Sequence, residues 1–179
     1  TCATSGIEGW GLADGDPDIT LRPPLQADWD RVRTWLRQPE IQAWWGGLGA
    51  AEAEIAIAAE SPSALCRTIL AGGVPIGYGQ AIDADLVASA LTAGLPAGTY
   101  VAALFIADPA FRRRGAGEAA LDALTRDVFS STLDIACATA VPVRYEPAVR
   151  AAERAGYRWI GVSNDATSGQ SWLMIRDRP

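Results

Sequence analysis

Apolar and polar residues alternate along short stretches of the chain, a period of two that is typical of β-strands. Residues 18–22 alternate in this way. Other short runs are almost wholly apolar, and we predict strands at 64–70, 74–82, 100–107, 133–139, 157–162 and 171–176. The run at 100–107 is the most apolar in the chain, and it predicts a buried central strand.

Apolar residues recur at helical spacing in other segments. They predict one helix between Asp28 and Pro39 and others at 50–59, 117–129 and 147–155. We expect Asp28 to cap the first helix and Gly156 to end the last one. Residues 41–45 are expected to form a short apolar turn.

The predicted elements follow the order β-α-α-β-β-β-α-β-α-β-β. This order favours a single α/β domain over residues 18–179, with a central mixed sheet of about seven strands flanked by about four helices. Residues 1–17 are rich in glycine and acidic residues, and we expect them to form a flexible N-terminal segment.

The composition excludes several kinds of catalysis. Histidine is absent, and all fifteen basic residues are arginine. Without histidine there is no Ser-His-Asp unit, no imidazole base and no His-ligated metal. Without lysine there is no Schiff base with pyridoxal phosphate and no P-loop lysine. The chemistry is therefore expected to use carboxylates, tyrosines, thiols, backbone amides and a cofactor.

The charge balance bears on the partners of the protein. Twenty-one acidic residues against fifteen arginines leave a net charge of −6, which argues against nucleic acid and suits a small cationic amine. The three cysteines are widely spaced, so neither a disulfide framework nor a metal site is expected. No apolar run reaches the roughly 18 residues that cross a bilayer, so we expect no membrane partner. Residues 1–17 lack a signal-peptide pattern, and we expect a cytoplasmic location.

A basic, glycine-containing loop separates the most apolar strand from an amphipathic helix. Its members are Arg112, Arg113, Arg114, Gly115, Ala116 and Gly117. Glycines let a ligand approach the backbone closely, and the N–H groups of an opening helix turn attract anions. The loop is therefore a candidate pyrophosphate site, although a glycine-rich turn with solvated arginines explains the same residues.

The R-x-x-G-x-G pattern at 112–117, after an apolar strand, resembles the acetyl-CoA pyrophosphate loop of the GNAT N-acetyltransferase superfamily. The order of elements over nearly the whole chain is similar to that fold. The resemblance implies acetyl-CoA as cofactor, held in a splay between the strands at 100–107 and 133–139. Backbone groups near Phe105 and Ile106 are then expected to pair with its pantetheine arm.

Two upstream segments resemble aminoglycoside 6′-N-acetyltransferases. Residues 35–47 read W-L-R-Q-P-E-I-Q-A-W-W-G-G, similar to the W-L-x(4)-I-x-x-W-W-G-G segment of that group, and residues 75–80 read P-I-G-Y-G-Q, similar to P-I-G-Y-x-Q. The resemblance implies an antibiotic-resistance enzyme that acetylates the 6′-amine of an aminoglycoside by direct attack in a ternary complex. Trp44 and Trp45 are expected to contact the substrate, because aromatic faces suit sugars and ammonium groups.

The chain departs from that resemblance at two positions linked to proton transfer. The resembling enzymes carry an acidic residue in a G-I-D stretch of the central strand, where this chain has Val101-Ala102-Ala103. They also carry a tyrosine four places before the glycine of A-G-F, where this chain has Ala152. Tyr145, at the mouth of the same helix, is the candidate substitute as catalytic acid, although an ordinary surface tyrosine explains the same residue.

Carboxylates on loops are the candidates for contacting the acceptor amine. Asp83, Asp85 and Asp165 are expected to bind the substrate, and Asp83 is also the expected catalytic base, acting through a water molecule. Glu40, beside the tryptophan pair, is a further candidate. Each of these acids is alternatively a solvated loop charge. Cys137 lies in a buried strand and is expected to pack rather than to react.

Two other functions stay open from the sequence. The acceptor is alternatively another amine, such as a siderophore precursor, a polyamine or a protein N-terminus. A degenerate domain that binds CoA without turnover also fits, because both proton-transfer positions hold alanine. The sequence is compatible with a monomer or a homodimer.

Overall fold

The computed structural model describes residues 18–87, 92, 94–165 and 169–179. The predicted N-terminal segment 1–17 lies outside them. The strands are β1 (Ile19–Arg22), β2 (Leu65–Ala71), β3 (Val74–Asp83), β4 (Thr99–Ile106), β5 (Ala136–Pro142), β6 (Arg158–Asp165) and β7 (Gly169–Asp177). The α-helices are α1 (Gln26–Trp35), α2 (Pro39–Trp45), α3 (Leu48–Glu60), α4 (Ala116–Ser131) and α5 (Glu146–Arg154).

All seven described strands form one sheet in the order β1-β2-β3-β4-β5-β7-β6. Neighbouring strands are antiparallel except β4 and β5, which are parallel. The predicted α/β domain with a mixed sheet is therefore confirmed. No helix in the described part of the chain is long and apolar enough to span a bilayer.

The central pair of strands separates along its length. β4 and β5 pair only through Thr99, Tyr100 and Val101, whose partners are residues 136–138. Beyond this point β4 continues to pair with β3 on its other side, and β5 continues to pair with β7. The edge of β4 that would face β5 is therefore left without a strand partner from residue 102 to residue 106. This is the splay that the family resemblance implies.

Helices cover both faces of the sheet. Leu121, Leu124 and Val128 of α4 pack on one face, in a core that includes Tyr100 of β4. Helices α1 to α3 cover the other face, where their apolar residues pack against the rings of Tyr78 and Phe105. The two cores follow from the alternation of side chains along β3 and β4.

Three local predictions need correction. Residues 41–45 form most of helix α2 rather than a turn, because Pro39 is preorganised for the first helical position and Ile41 becomes buried. The strand predicted at 133–139 begins only at Ala136, and the Leu133 side chain is 97% exposed. With α2 included, the described part of the structure has five α-helices.

The third correction concerns Asp28, which is not the N-cap of α1. The helix begins at Gln26, so Asp28 lies in its first turn and accepts a hydrogen bond from the Leu25 backbone N–H at 2.7 Å. Its carboxylate is fully buried and pairs with Arg22 of β1 and with Arg31 of α1. The Asp28 carboxylate therefore binds these two arginines and the N-cap N–H from within the first turn of the helix. The prediction for the other helix end is confirmed, since Gly156 follows α5 with φ of +85°.

Candidate active site

A cleft of about 1420 Å³ occupies the splay between β4 and β5. Its wall includes residues 101–106 of β4 and residues 139–142 of β5. The start of α4 closes one end, and residues from α2, α3 and the start of α5 line the remainder. The cleft therefore joins the unpaired edge of β4 to the N-terminus of a long helix.

The glycine-containing loop turns sharply into α4. Gly115 is the N-cap and adopts φ of +81°, in the left-handed region that favours glycine. Ala116 is fully buried against the sheet, and Gly117 and the three loop arginines line the cleft. A Cβ on Gly117 would have no atom within 4 Å, so this position faces open space. The first N–H groups of α4 are thus accessible to an anion, as in other helix N-terminal sites.

The three arginines of the loop have different environments. Arg112 donates from Nε to the Ile106 carbonyl at 2.8 Å and from Nη2 to the Ala107 carbonyl at 2.8 Å. The same Nη2 also donates to the Gln38 side-chain oxygen at 2.7 Å. Arg113 and Arg114 are exposed, and neither pairs with a carboxylate among the residues that the structure describes. Arg112 therefore anchors the loop, while the other two guanidinium groups are available to a ligand.

The residues predicted to pair with pantetheine lie along the same cleft. Phe105 and Ile106 are both part of its lining. Phe105 is buried, and the rings of Trp35 and Trp45 stand edge-on to it, with centroids 6.3 and 5.2 Å away. The Ile106 carbonyl already accepts a hydrogen bond from Arg112. The packed aromatic rings fix the end of β4 beside the start of α4.

An aromatic pair forms another part of the cleft wall. The Trp44 ring of α2 stacks on the Tyr145 ring, with centroids 4.3 Å apart and planes 13° from parallel. Both residues line the cleft, and Trp44 also lines a neighbouring cavity of about 550 Å³. Trp45, the other tryptophan of the pair, lines the main cleft as well. The structure thus brings the predicted substrate-binding tryptophans together with the predicted catalytic tyrosine.

The structure does not bring Asp83 and Asp85 into the cleft. Asp83 accepts a hydrogen bond from the Asp85 backbone N–H at 3.0 Å and caps a short 3₁₀ helix. Neither residue is part of the cleft lining, whereas Gln80 and Ile82 are. Side chains alternate along β3, so Asp83 points to the other face of the sheet. The backbone of Asp165 ends β6, and its side chain lies outside the described part of the structure.

Glutamates from the helices supply the carboxylates of the cleft instead. They are Glu40 of α2, Glu54 of α3, Glu118 of α4 and Glu146 of α5. Glu54 was not a candidate from sequence. The sequence feature that points to Glu54 is its position next to Ile55, which is buried where α3 packs on the sheet. The spacing of apolar residues in a helix does not show which residues of the sheet the helix will contact.

Small and unreactive residues complete the site. Ala103 and Ala152, at the two positions linked to proton transfer, both line the cleft. Cys137 is fully buried, and burial raises the pKa of its thiol to about 11. Burial also raises the pKa of the Cys66 thiol. Neither of these described cysteines is therefore suited to act as a thiolate nucleophile near neutral pH.

The fold and the cleft define an α/β domain with a splayed central strand pair that opens onto a helix N-terminus. The family model for the acetyltransferase (GNAT) domain matches residues 24–163 of the chain. The protein therefore belongs to the GNAT acetyltransferase family. A search of curated proteins by sequence found no match.

Solved structures of similar fold include two aminoglycoside acetyltransferases. AAC(6')-Ib in complex with coenzyme A and kanamycin has a TM-score of 0.77 and 22% identity, over 89% of this chain and 95% of that chain. The aminoglycoside N(6')acetyltransferase of Legionella pneumophila has a TM-score of 0.72 and 17% identity, over 93% and 95%. Mycobacterium smegmatis RimJ in complex with CoA-disulfide has a TM-score of 0.68 and 14% identity, over 89% and 81%. These likenesses show the fold.

Acetyl-CoA is the donor that this family uses, and similar structures contain coenzyme A. The residues of this cleft fit such a donor. The α4 N-terminus, the open space at Gly117 and the exposed Arg113 and Arg114 suit a pyrophosphate. The unpaired edge of β4 suits an extended arm with amide groups, because it offers backbone donors and acceptors.

Proposed function

We propose that the protein transfers the acetyl group of acetyl-CoA to an amine of a small polycationic molecule, namely the 6′-amine of an aminoglycoside. The observation that carries this proposal is the polarity of the single cleft. At one place the start of α4 and the exposed Arg113 and Arg114 supply positive charge, and at another helices α2 and α3 supply Trp44, Trp45, Glu40 and Glu54. A negatively charged donor and a positively charged acceptor are thus favoured at different places along one cleft.

The aromatic and acidic wall supports the choice of acceptor. The stacked Trp44 ring is 38% exposed, so part of it is accessible to a ligand beside the cleft. Aromatic rings bind sugar faces and ammonium groups, and carboxylates bind the remaining amines. The fold shared with AAC(6')-Ib bound to kanamycin supports the same acceptor class.

The residues of the cleft favour direct transfer rather than an acyl-enzyme. Both described cysteines have raised thiol pKa values, and the chain has no histidine to activate a hydroxyl. Backbone N–H groups on the open edge of β4 are placed to polarise the thioester carbonyl. Tyr145, held by its stack on Trp44, is the proposed acid for the leaving thiolate. Asp83 is left out of the proposed mechanism, because it does not line the cleft.

A thiol-release assay tests this function. Purified protein with acetyl-CoA should release CoA thiol on addition of an aminoglycoside that carries a 6′-amine, and mass spectrometry should locate one acetyl group on that amine. A matched aminoglycoside with a hydroxyl at the 6′ position should give little release. A polyamine, an alkylhydroxylamine and a peptide with a free N-terminus complete the panel.

Each other result assigns a different function. If CoA thiol is released only with the polyamine, the hydroxylamine or the peptide, that amine is the acceptor and the aminoglycoside is not. CoA binding by calorimetry, together with no thiol release on any amine, would instead favour a binding domain without turnover. The alanines at positions 103 and 152 are the observation that makes this outcome worth testing.

A further inference from the structure

A chain of hydrogen bonds runs from the core of the sheet to the cleft. The Tyr78 hydroxyl donates to the Gln80 side-chain oxygen at 3.1 Å, and Gln80 Nε2 donates to Oε1 of Glu54 at 2.7 Å. Tyr78 and Gln80 are almost fully buried, whereas Glu54 is exposed and lines the cleft. This series of hydrogen bonds therefore begins at a buried hydroxyl and ends on a carboxylate that a ligand can reach.

Donor and acceptor are fixed at each hydrogen bond of this series. Burial raises the pKa of Tyr78 far above its ordinary value, so its hydroxyl stays protonated and donates. This donation orients the Gln80 amide with its NH₂ group toward Glu54. Cys66 of β2 is the other titratable group beside Tyr78, and burial raises its pKa as well. Glu54 thus receives a hydrogen bond from an amide group that cannot rotate without losing its own bond to Tyr78.

The carboxylate lies beside the part of β4 that the splay leaves open. Gln80 on β3 pairs directly with Ala103 on β4. Residues opposite each other in an antiparallel pair share a face, and both residues line the cleft. Ala103 carries only a methyl group, so the space above it is available to a ligand. Glu54, on helix α3, is bonded to Gln80, the strand partner of this position.

The other glutamates of the cleft are held differently. Glu118 pairs with Arg154 at 2.6 Å, and Glu146 pairs with Arg150. Both glutamates lie in the first turn of their helix, α4 for Glu118 and α5 for Glu146. Glu40 lies in the first turn of α2, and no hydrogen bond in the described part of the structure ties it to β3 or β4. Glu54 is the cleft glutamate that is bonded to the central sheet.

We propose that Glu54 binds the acceptor ammonium and takes a proton from it, an inference that rests on the proposed acetyl transfer. The Glu54 carboxylate accepts one proton from the ammonium, which leaves a neutral amine. The amine nitrogen then forms a bond to the thioester carbonyl carbon, and the carbon–sulfur bond breaks with its electron pair on sulfur. Tyr145 donates its proton to the thiolate, and the second proton lost from nitrogen restores the Tyr145 hydroxyl. Gln80 and Tyr78 act as positioning residues that hold the Glu54 carboxylate beside the strand pair Gln80–Ala103.

Steady-state kinetics of Glu54→Gln test this role. At pH 7 we expect kcat to fall about 10²-fold, the usual size of a general-base contribution, while the KM for acetyl-CoA stays unchanged. The deficit should shrink as the pH approaches 9, because an amine with a pKa of about 8 to 9 then loses its proton to solvent. Glu52→Gln is the matched control: it removes the same charge from the same helix, and Glu52 is not part of the cleft lining.

Each outcome bears on a stated claim. A KM for the amine that rises with unchanged kcat would overturn the proton transfer and leave a purely binding role. An equal loss in Glu52→Gln, or a deficit in Glu54→Gln that is the same at pH 7 and pH 9, would also overturn it. A wild-type protein that acetylates no amine would overturn the proposed function itself, and the role of Glu54 with it. An active wild type with an unaffected Glu54→Gln variant would overturn only the role of Glu54.

Discussion

Arg112 and Arg114 lie two positions apart in one loop, yet the structure gives their side chains different tasks. The Arg112 guanidinium donates to two backbone carbonyls at the end of β4 and to Gln38. Arg114 is exposed at the cleft and makes no ion pair with the described residues. One residue therefore connects β4, the α1–α2 turn and the loop, and the other contributes mainly positive charge.

We therefore expect different results from replacing the two arginines. Arg114→Ala should raise the KM for acetyl-CoA about three- to tenfold, the effect of one lost charge-assisted contact to phosphate, without changing the free energy of unfolding. Arg112→Ala should raise that KM and also lower the free energy of unfolding by about 1–3 kcal/mol, because buried carbonyls lose their donors. Steady-state kinetics and urea denaturation measure the two effects.

Arg126→Ala is the control for this pair. Arg126 pairs with Asp122 on the exposed side of α4 and is not part of the cleft lining. Its replacement should leave the KM for acetyl-CoA unchanged. If Arg114→Ala behaves like Arg126→Ala in the KM for acetyl-CoA, the assignment of this loop to the pyrophosphate is wrong.

At the scale of elements, the junction of β1 and α1 depends on one buried carboxylate. Asp28 joins Arg22 of β1 to the first turn of α1. Hydrogen bonds from Arg22, supported by the Leu25 N–H and by Arg31, hold the pKa of Asp28 well below its ordinary value, although burial opposes this shift. The pairing thus stabilises the folded protein only while Asp28 is ionised.

The sign of the pH dependence follows from this lowered pKa. The stabilisation by Asp28 is fully present above its unfolded pKa of about 4 and is lost as the pH falls through the folded pKa. Asp28→Asn should therefore lower the free energy of unfolding by about 2 kcal/mol at pH 7, and the difference from wild type should shrink below about pH 4. Urea denaturation at several pH values measures this difference.

Asp30→Asn is a matched control on the same helix. Asp30 pairs with Arg33, but both side chains are largely exposed, so its replacement should change the stability by less than about 0.5 kcal/mol. A difference between Asp28→Asn and wild type that stays constant from pH 7 to pH 3 would contradict the explanation by ionisation.

Apolar spacing predicts most of the helices and strands, but not all of their boundaries. The seven strands and the amphipathic helices were predicted because their apolar spacing is local. The helix α2 was predicted as a turn, because seven residues are too few for a helical period to be distinct. The start of β5 was predicted three residues early, because Leu133 is apolar but exposed. In both cases packing against the rest of the fold decided the outcome.

At the scale of the whole molecule, the net charge of −6 acts on every charged ligand that approaches. A polycationic acceptor is attracted by the overall field and by the glutamates of the cleft. A monoamine acceptor carries fewer positive charges, so the same field attracts it less strongly. Salt screens both, with a Debye length of about 10 Å at 0.1 M.

Salt should therefore weaken the binding of the proposed acceptor more than that of a monoamine. Between 50 and 500 mM NaCl we expect the KM for an aminoglycoside to rise at least about threefold more than the KM for a monoamine acceptor. Kinetics at saturating acetyl-CoA separate this effect from weaker donor binding. Equal salt responses of the two acceptors would show that the protein does not recognise a polycation by its charge.

The sequence by itself determined the α/β class, the glycine-containing loop before α4 and the family resemblance, and that resemblance in turn implied the splayed central strands. These features depend on local apolar periodicity and on short motifs, which neighbouring residues specify. Only the tertiary structure decided which side chains meet in the cleft. It stacked Trp44 on Tyr145, left Asp83 outside the cleft lining and bonded Glu54 to Gln80, the strand partner of Ala103. Such contacts join residues far apart in the chain, and they depend on how each helix packs on the sheet, which no local pattern encodes.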